Sequence, residues 1–386
     1  MQIAFVGSRI IPAQYGGLET FVEEISTRLV EKGFQVFIIC ESDRFSEDIY
    51  KDVKRILTPS FKGKYLTIPS LNDIFATFYL LLKHSKDLQM IYYVSTDGAV
   101  AALIAKIFKK KVMINADGIE WRRLQKRRRF VRLYWKPLFY IAQRYMSFVE
   151  ALSCKIADVI IADSLEIQKY LEKKYQVKNV VHIPYGARVL ISSDITPKDE
   201  ETVLKNYGLT PNDYYLTVAR IIPENNIDME IRAFNKKVTT KKLIIVGNFN
   251  KQDPYIRYLY TLNGKSNNVI FLNPIYDKKI LGILRKNCYA YIHLYELGGT
   301  NPSLLEQMIF MKPIMAYDVP FNREVLQGGG IFVHDSEDLA QSISRLESNL
   351  FSIKEMKQVQ KKQIDDYYNW EYVTEKYLEL FRTFKG

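Results

Sequence analysis

Met1-Gln2-Ile3-Ala4-Phe5-Val6-Gly7-Ser8-Arg9-Ile10-Ile11-Pro12-Ala13-Gln14-Tyr15-Gly16-Gly17-Leu18-Glu19-Thr20 opens the chain. The apolar run Ile3–Val6 reads as a buried strand, and a helical pattern follows over Glu19–Lys32. Between them lies a glycine-bearing loop. Glycine tolerates positive φ and lets backbone N–H groups approach a ligand, and the helix N-terminus adds partial positive charge. The loop therefore suits phosphate. It is neither a G-x-G-x-x-G fingerprint nor a P-loop, and a plain tight turn between strand and helix remains the alternative reading.

The same rhythm runs outward along the chain. Strands are expected at Val36–Cys40, Met90–Val94, Val112–Ile114, Val159–Ala162 and Val180–Ile183, with helices between them such as Ala99–Phe108. After Pro184-Tyr185-Gly186 the pattern stops, and Ser192 to Asn212 is polar and reads as a linker. The rhythm resumes with strands at Tyr214–Val218, Leu243–Val246, Val269–Leu272, Tyr289–Leu294 and Ile314–Ala316. Helices are expected at Ile227–Lys236, Lys278–Lys286, Ser303–Met311 and Ser336–Asn349. Short apolar runs alternating with helices specify an α/β fold with parallel sheets and crossover helices. Two Rossmann-like domains are expected: residues 1–190, completed by a C-terminal helix at 366–386, and residues 191–365.

Two domains fit 386 residues. Hydrophobic residues make up 47% and charged residues 25%, which is ordinary for a soluble globular chain. Lys and Arg number 55 against 43 Asp and Glu, a surplus of +12 that favours phosphate, nucleic acid or anionic lipid as partner. Cys40, Cys154 and Cys288 have no metal or redox spacing and read as buried thiols in a reducing compartment. No signal peptide and no bilayer-spanning run is apparent, so a cytoplasmic protein at most peripheral to the inner face of the cell membrane is expected.

Four further segments carry candidate chemistry. Arg220 follows the strand Tyr214–Val218, in the segment Val218-Ala219-Arg220-Ile221-Ile222-Pro223-Glu224-Asn225-Asn226. An arginine there offers a rigid fork of donors to a phosphate, or else pairs with Glu224. The segment His293-Leu294-Tyr295-Glu296-Leu297-Gly298-Gly299-Thr300-Asn301-Pro302-Ser303-Leu304-Leu305-Glu306 runs from strand through glycine loop into helix. It suits an anion at the helix N-terminus, although Ser303 with Glu306 also fits a capping box. His293 fits a structural histidine better than a catalyst. Asn115-Ala116-Asp117-Gly118-Ile119-Glu120-Trp121 places two acids and an indole after a strand, suited to a sugar, or to an Asp-Gly turn with a packed Trp. Finally, Trp121 to Lys136 interleaves Arg and Lys with aromatics. That composition suits an anionic membrane surface. A solvated basic helix is the bland reading, and nucleic acid the least favoured one.

Together these motifs resemble retaining glycosyltransferases of family 4 with the GT-B fold, two Rossmann-like domains facing across a cleft. They are most similar to the bacterial polysaccharide rhamnosyltransferase subgroup. The resemblance rests on Gly7-Ser8-Arg9, Tyr15 to Phe21, Asp117 to Trp121, Arg220 to Asn226 and Gly298 to Glu306, and extends to Trp370-Glu371 and the last helix. It implies a nucleotide-sugar donor, TDP-rhamnose, with no cofactor and no metal, and a lipid-linked saccharide acceptor. Gly16 and Gly17 would lie near the donor phosphates and the acceptor. Arg220 would bind the diphosphate, with Asn225 nearby. Gly299, Thr300, Asn301, Ser303 and Leu304 would frame the phosphates through backbone N–H groups. Glu306 would accept from the ribose, and Ile275 in the loop Asn273-Pro274-Ile275-Tyr276 would frame the base. Asp117, Arg220 and Glu306 are the catalytic candidates. The last helix would cross back onto the N-terminal domain.

Two departures from the wider family stand out. A lysine is usual where Asn225 stands. A glutamate touching the donor sugar is usual where Gly298 stands, and Glu296 is out of register with it. A UDP- or GDP-hexose donor is the nearest alternative. A Rossmann oxidoreductase, a nucleotide-sugar epimerase and a nucleic-acid-binding protein are the more distant ones.

Overall fold

The computed structural model describes all residues except 14–15, 60–68, 132, 188–194, 237, 265 and 385–386. Gln14 and Tyr15 of the opening loop, Arg132 of the basic segment and the first residues of the linker at Ser192 thus lie outside the described residues. The chain forms two compact units. The first comprises Met1–Trp121, Tyr140–Gly186 and Trp370–Gly386; the second comprises Arg122–Phe139 and Ala187–Asn369. Residues 122–139, read from sequence as part of the first domain, cluster with the second.

The first unit is built on eight strands: β1 (Gln2–Val6), β2 (Gln35–Ser42), β3 (Ser46–Tyr50), β4 (Val53–Pro59), β5 (Leu88–Tyr93), β6 (Lys111–Ala116), β7 (Val159–Ala162) and β8 (Val180–His182). Their order is β3-β4-β2-β1-β5-β6-β7-β8. All pairs are parallel except β3–β4. Ile3, Ala4, Phe5 and Val6 are wholly buried, as expected of a central parallel strand covered on both faces. β3 and β4 are additions to the sequence reading. They are joined by Lys51 and Asp52, both at positive φ (47° and 62°), the geometry of a two-residue primed turn. The C-terminal helix Trp370–Arg382 packs within this unit. Tyr377 shares a 2.9 Å hydrogen bond with Tyr92, Phe381 meets Phe34 at 5.6 Å, and Arg28 lies over the Trp370 ring.

The second unit carries β9 (Tyr214–Val218), β10 (Lys242–Val246), β11 (Val269–Leu272), β12 (Ala290–His293), β13 (Ile314–Tyr317) and β14 (Ile331–Val333). The order is β11-β10-β9-β12-β13-β14, all parallel. Its core packs Tyr215, Leu243, Ile245 and Ile292 of the sheet against Ile231 and Phe234, and against Leu339 and Ile343. In both sheets the strand order reverses beside the first strand of the unit, between β1 and β5 and between β9 and β12. Ligands of open parallel sheets bind beyond the C-terminal ends of the strands at such switch points. The loops after β1, β5, β9 and β12 are therefore the places for chemistry, and all the motifs quoted above except the basic segment follow strand ends.

Candidate active site

In the second unit, two loops meet at the end of β9. The Arg220 carbonyl accepts the Asn225 side-chain amide at 2.7 Å and the Ile222 N–H at 3.0 Å. Asn225 is buried and braces the loop from inside. The Arg220 side chain is exposed and, among the described residues, forms no ion pair; the alternative pairing with Glu224 is not made. Glu224 is instead fully buried and bonded to Arg127 at 2.7 Å.

The loop after β12 leads into the helix Pro302–Met308. Its N-cap is Asn301, whose side chain accepts the Ser303 N–H at 3.0 Å. The capping box read from Ser303 and Glu306 is thus corrected. Ser303 stands inside the helix after Pro302, and its hydroxyl meets the Val218 carbonyl at 2.9 Å and Tyr291 at 2.9 Å. The N–H groups of Leu304 and Leu305 are taken by the Asn301 carbonyl. Among the described residues the loop N–H groups of Leu297, Gly298, Gly299 and Asn301 have no acceptor, so the amides open to a ligand lie in the loop rather than in the first helical turn.

Glu306 is oriented by a residue that sequence reading missed. Arg285, wholly buried on the helix Lys278–Asn287, reaches Glu306 at 3.1 Å, the Ser303 hydroxyl at 2.8 Å and the Ser303 carbonyl at 3.0 Å. Its guanidinium lies 5.1 Å from the Tyr291 ring centre. This fork ties β12 to the helix that presents Glu306. Glu306→Ala removes the acceptor for Arg285 together with the charge. We expect the donor KM to rise, together with a loss of about 1.5–3 kcal/mol in urea unfolding, the usual worth of a hydrogen bond to a charged group. An unchanged urea midpoint would refute the Arg285 support. Asn301→Ala should cost about 1 kcal/mol through the cap.

His293 at the end of β12 is buried, and its Nε2 has no partner among the described residues. Burial, with the Arg285 charge beside it, pushes its pKa down to about 3, which favours the neutral imidazole. Gly298 lies under Tyr295: a β-carbon there would stand 2.6 Å from the ring. Glu296 points elsewhere, held by Lys126 at 2.5 Å and by Asn226 at 3.0 Å. Ile275 follows β11 and is half-buried, with Tyr276 beside it exposed.

In the first unit, Gly16 caps the helix Gly17–Glu31 with φ +101°. A side chain there would be strained, and its Cβ would meet the Glu19 carboxylate. Glu23, also missed from sequence, organises the loop by accepting the Ala13 N–H and the Tyr50 hydroxyl, both at 2.8 Å. Asp117 follows β6, half-buried. The Trp121 indole donates to Tyr170 at 3.0 Å and lies under Lys174, so it is engaged in packing. Asp97, after β5, is pushed up to about 6 by burial, with Glu120 and Asp117 adding to the rise. Asp73 is pushed up to about 8 by burial and by the neighbouring Asp97 and Glu41.

The fold therefore favours protonated Asp73, while the unfolded chain ionises it from about pH 4. Its contribution to stability is full below that pH, declines as pH rises, and is lost above about pH 8. Asp73→Asn should lose less stability than wild type between pH 5 and pH 9 in urea titrations; parallel losses would reject the assignment.

Comparisons with known proteins divide the chain between residues 188 and 199. Residues 1–188 match the model of a domain of unknown function, DUF1972, and residues 199–364 match glycosyl transferases group 1. An uncharacterized glycosyltransferase of Methanocaldococcus jannaschii is 25% identical, the match covering 96% of this chain and 97% of that one. The O-antigen chain mannosyltransferase RfbU of Salmonella typhimurium is 24% identical over 54% of this chain and 56% of its own length. Among solved structures, sucrose-phosphate synthase from Thermosynechococcus elongatus superposes with a TM-score of 0.80 at 15% identity, covering 99% of this chain and 98% of that one. HepE of Anabaena, solved in complex with UDP-glucose, gives 0.73 at 16% identity, covering 99% and 100%. At these identities the structural likeness is one of fold.

Proposed function

We propose that the chain, which has the GT-B fold and whose residues 199–364 match glycosyl transferases group 1, transfers a sugar from a nucleotide-sugar, that the sugar is rhamnose carried on TDP, and that a lipid-linked saccharide in polysaccharide or glycan synthesis receives it. The observation that carries the donor assignment is Gly298 beneath the Tyr295 ring. A glutamate at this position would accept sugar hydroxyls in the glucose pattern. Glycine removes that acceptor, and the close ring leaves no room for a longer side chain. A site that lacks a partner for a hydroxyl cannot demand that hydroxyl, which suits a 6-deoxy sugar. Glu296 is no substitute, being bound to Lys126 and Asn226. The polysaccharide role is supported by the likeness to an O-antigen chain mannosyltransferase.

The expected chemistry is transfer with retention. Among the described residues we assign no carboxylate as a covalent nucleophile, so we favour front-face departure. Arg220 and the amides of Gly299 and Asn301 stabilise the diphosphate as it leaves. The leaving phosphate helps take the proton of the acceptor hydroxyl. Glu306, held by Arg285, accepts from the ribose, and no metal is assigned a role. In the first unit, Asp117 is the carboxylate we assign to the reacting sugars.

Donor turnover should be compared for TDP-rhamnose, UDP-glucose, UDP-N-acetylglucosamine and GDP-mannose. We expect TDP-rhamnose to be fastest, with the order unchanged in Glu296→Ala. A preference for UDP-glucose would defeat the rhamnose assignment and favour the second reading, a UDP- or GDP-hexose donor, leaving the glycosyltransferase assignment in place.

Among the described residues no helix is long and apolar enough to cross a membrane. A lipid-linked acceptor would then be met at the bilayer surface, and we assign that contact to the basic segment ending at Lys136.

A further inference from the structure

The basic segment divides into two sets of cations. Arg123, Lys126 and Arg127 are committed within the second unit: Arg123 is buried against Leu297 and Tyr295, and the other two pair with Glu296 and Glu224. Arg128, Arg129 and Lys136 form no ion pair among the described residues. These three, with Gln125, Leu133 and Pro137, line a cavity of about 760 Å³. Among the described residues no carboxylate lines it. Lys136 also begins a 21-residue helix, Lys136–Ile156, with no acid in its first turn, so the partial positive charge of that helix end adds to the three cations. Three unpaired cations around one cavity repel one another unless an anion sits among them.

The collar of the cavity indicates where that anion comes from. Leu133 is 78% exposed, Tyr134 64%, Trp135 46% and Leu138 42%. A site for a free phosphate needs no such collar. Exposed aliphatic side chains with Trp and Tyr beside cations match the headgroup level of a bilayer.

We propose that the cavity lined by Arg128, Arg129 and Lys136 binds the phosphate or diphosphate headgroup of a membrane lipid, with Leu133, Trp135 and Leu138 entering the acyl boundary. The proposal rests on the surface-acceptor reading above and names its contact point.

The test uses the full chain and vesicles of phosphatidylcholine, alone, with phosphatidylglycerol, or with a polyisoprenyl diphosphate. Wild type should co-sediment with both anionic preparations, more weakly as salt rises, and Trp135 emission should shift to the blue. At about fivefold in partitioning per cation, the triple variant Arg128→Gln, Arg129→Gln, Lys136→Gln should bind about 10²-fold more weakly. Its melting temperature should be unchanged, since these residues support no buried acid. Leu133→Ser with Leu138→Ser should keep the salt dependence but lose the spectral shift. Equal vesicle binding by wild type and the triple variant overturns the site while the surface reading stands. No binding by wild type overturns both. Stabilisation by inorganic pyrophosphate without vesicle binding overturns the lipid source.

Discussion

Arg220→Ala is expected to lower kcat/KM for the donor by about 10²–10³-fold, the range found when one preorganised donor to a developing anion is removed. The reasoning starts from the backbone. Asn225 and Ile222 fix the Arg220 carbonyl, so the residue leaves the end of β9 in a set direction. Its side chain is exposed and without an ion pair among the described residues, so the folded chain gives up little when it is truncated. The loss should therefore appear in steady-state kinetics and not in the melting temperature. Arg220→Lys should recover part of the rate, because a point charge replaces a two-pronged fork. Unchanged kinetics in a folded Arg220→Ala enzyme would remove Arg220 from the leaving-group role.

The second large effect is one of stability. Arg127→Ala should cost about 3 kcal/mol, the lower end of the range for breaking a buried pair, because the Arg127 side chain is itself a third exposed. Its partner Glu224 has no exposed side-chain surface, and its second carboxylate oxygen has no other bond among the described residues. Removing the guanidinium leaves a buried charge uncompensated. Replacing both residues by leucine should restore most of the loss, since a hydrophobic pair avoids the desolvation penalty altogether. Urea titrations of the three proteins decide this. If Arg127→Ala melts like wild type, the pair is a bystander. The result also bears on the membrane test, for a variant that neutralises Arg127 along with its neighbours would confuse unfolding with lost binding.

Much of the fold was legible because central parallel strands must be apolar on both faces, and β1, β7, β9 and β10 read that way directly. β3 was not legible for the opposite reason. It is an edge strand with Glu47, Asp48 and an exposed Ile49, and its turn is Lys51-Asp52, with neither glycine nor asparagine to announce it. At the site, the strand-end loops could be found, but the supports behind them could not. Arg285 lies among Lys278, Lys279 and Lys286 and looks like one more surface cation; only its place one turn beyond Leu281, beside Leu284, hints at burial. The true cap was within reach: Pro302 is favoured at the first position of a helix, which makes Asn301 the cap rather than Ser303. The pairing of Arg127 with Glu224 spans 97 residues of sequence, and no local pattern encodes it.

The division of the chain into interleaved pieces bears on how such enzymes can be recombined. A hybrid made at one junction in the linker would take residues 187–369 from one parent and leave 122–139 with the other. It would then depend on a foreign arginine to neutralise Glu224 and a foreign lysine to restrain Glu296. It would also part the helix Trp370–Arg382 from the Tyr92 and Phe34 partners it packs on if the graft ran to the end. The second unit is thus portable only as two segments moved together, 122–139 with 187–369, the terminal helix staying with its own parent.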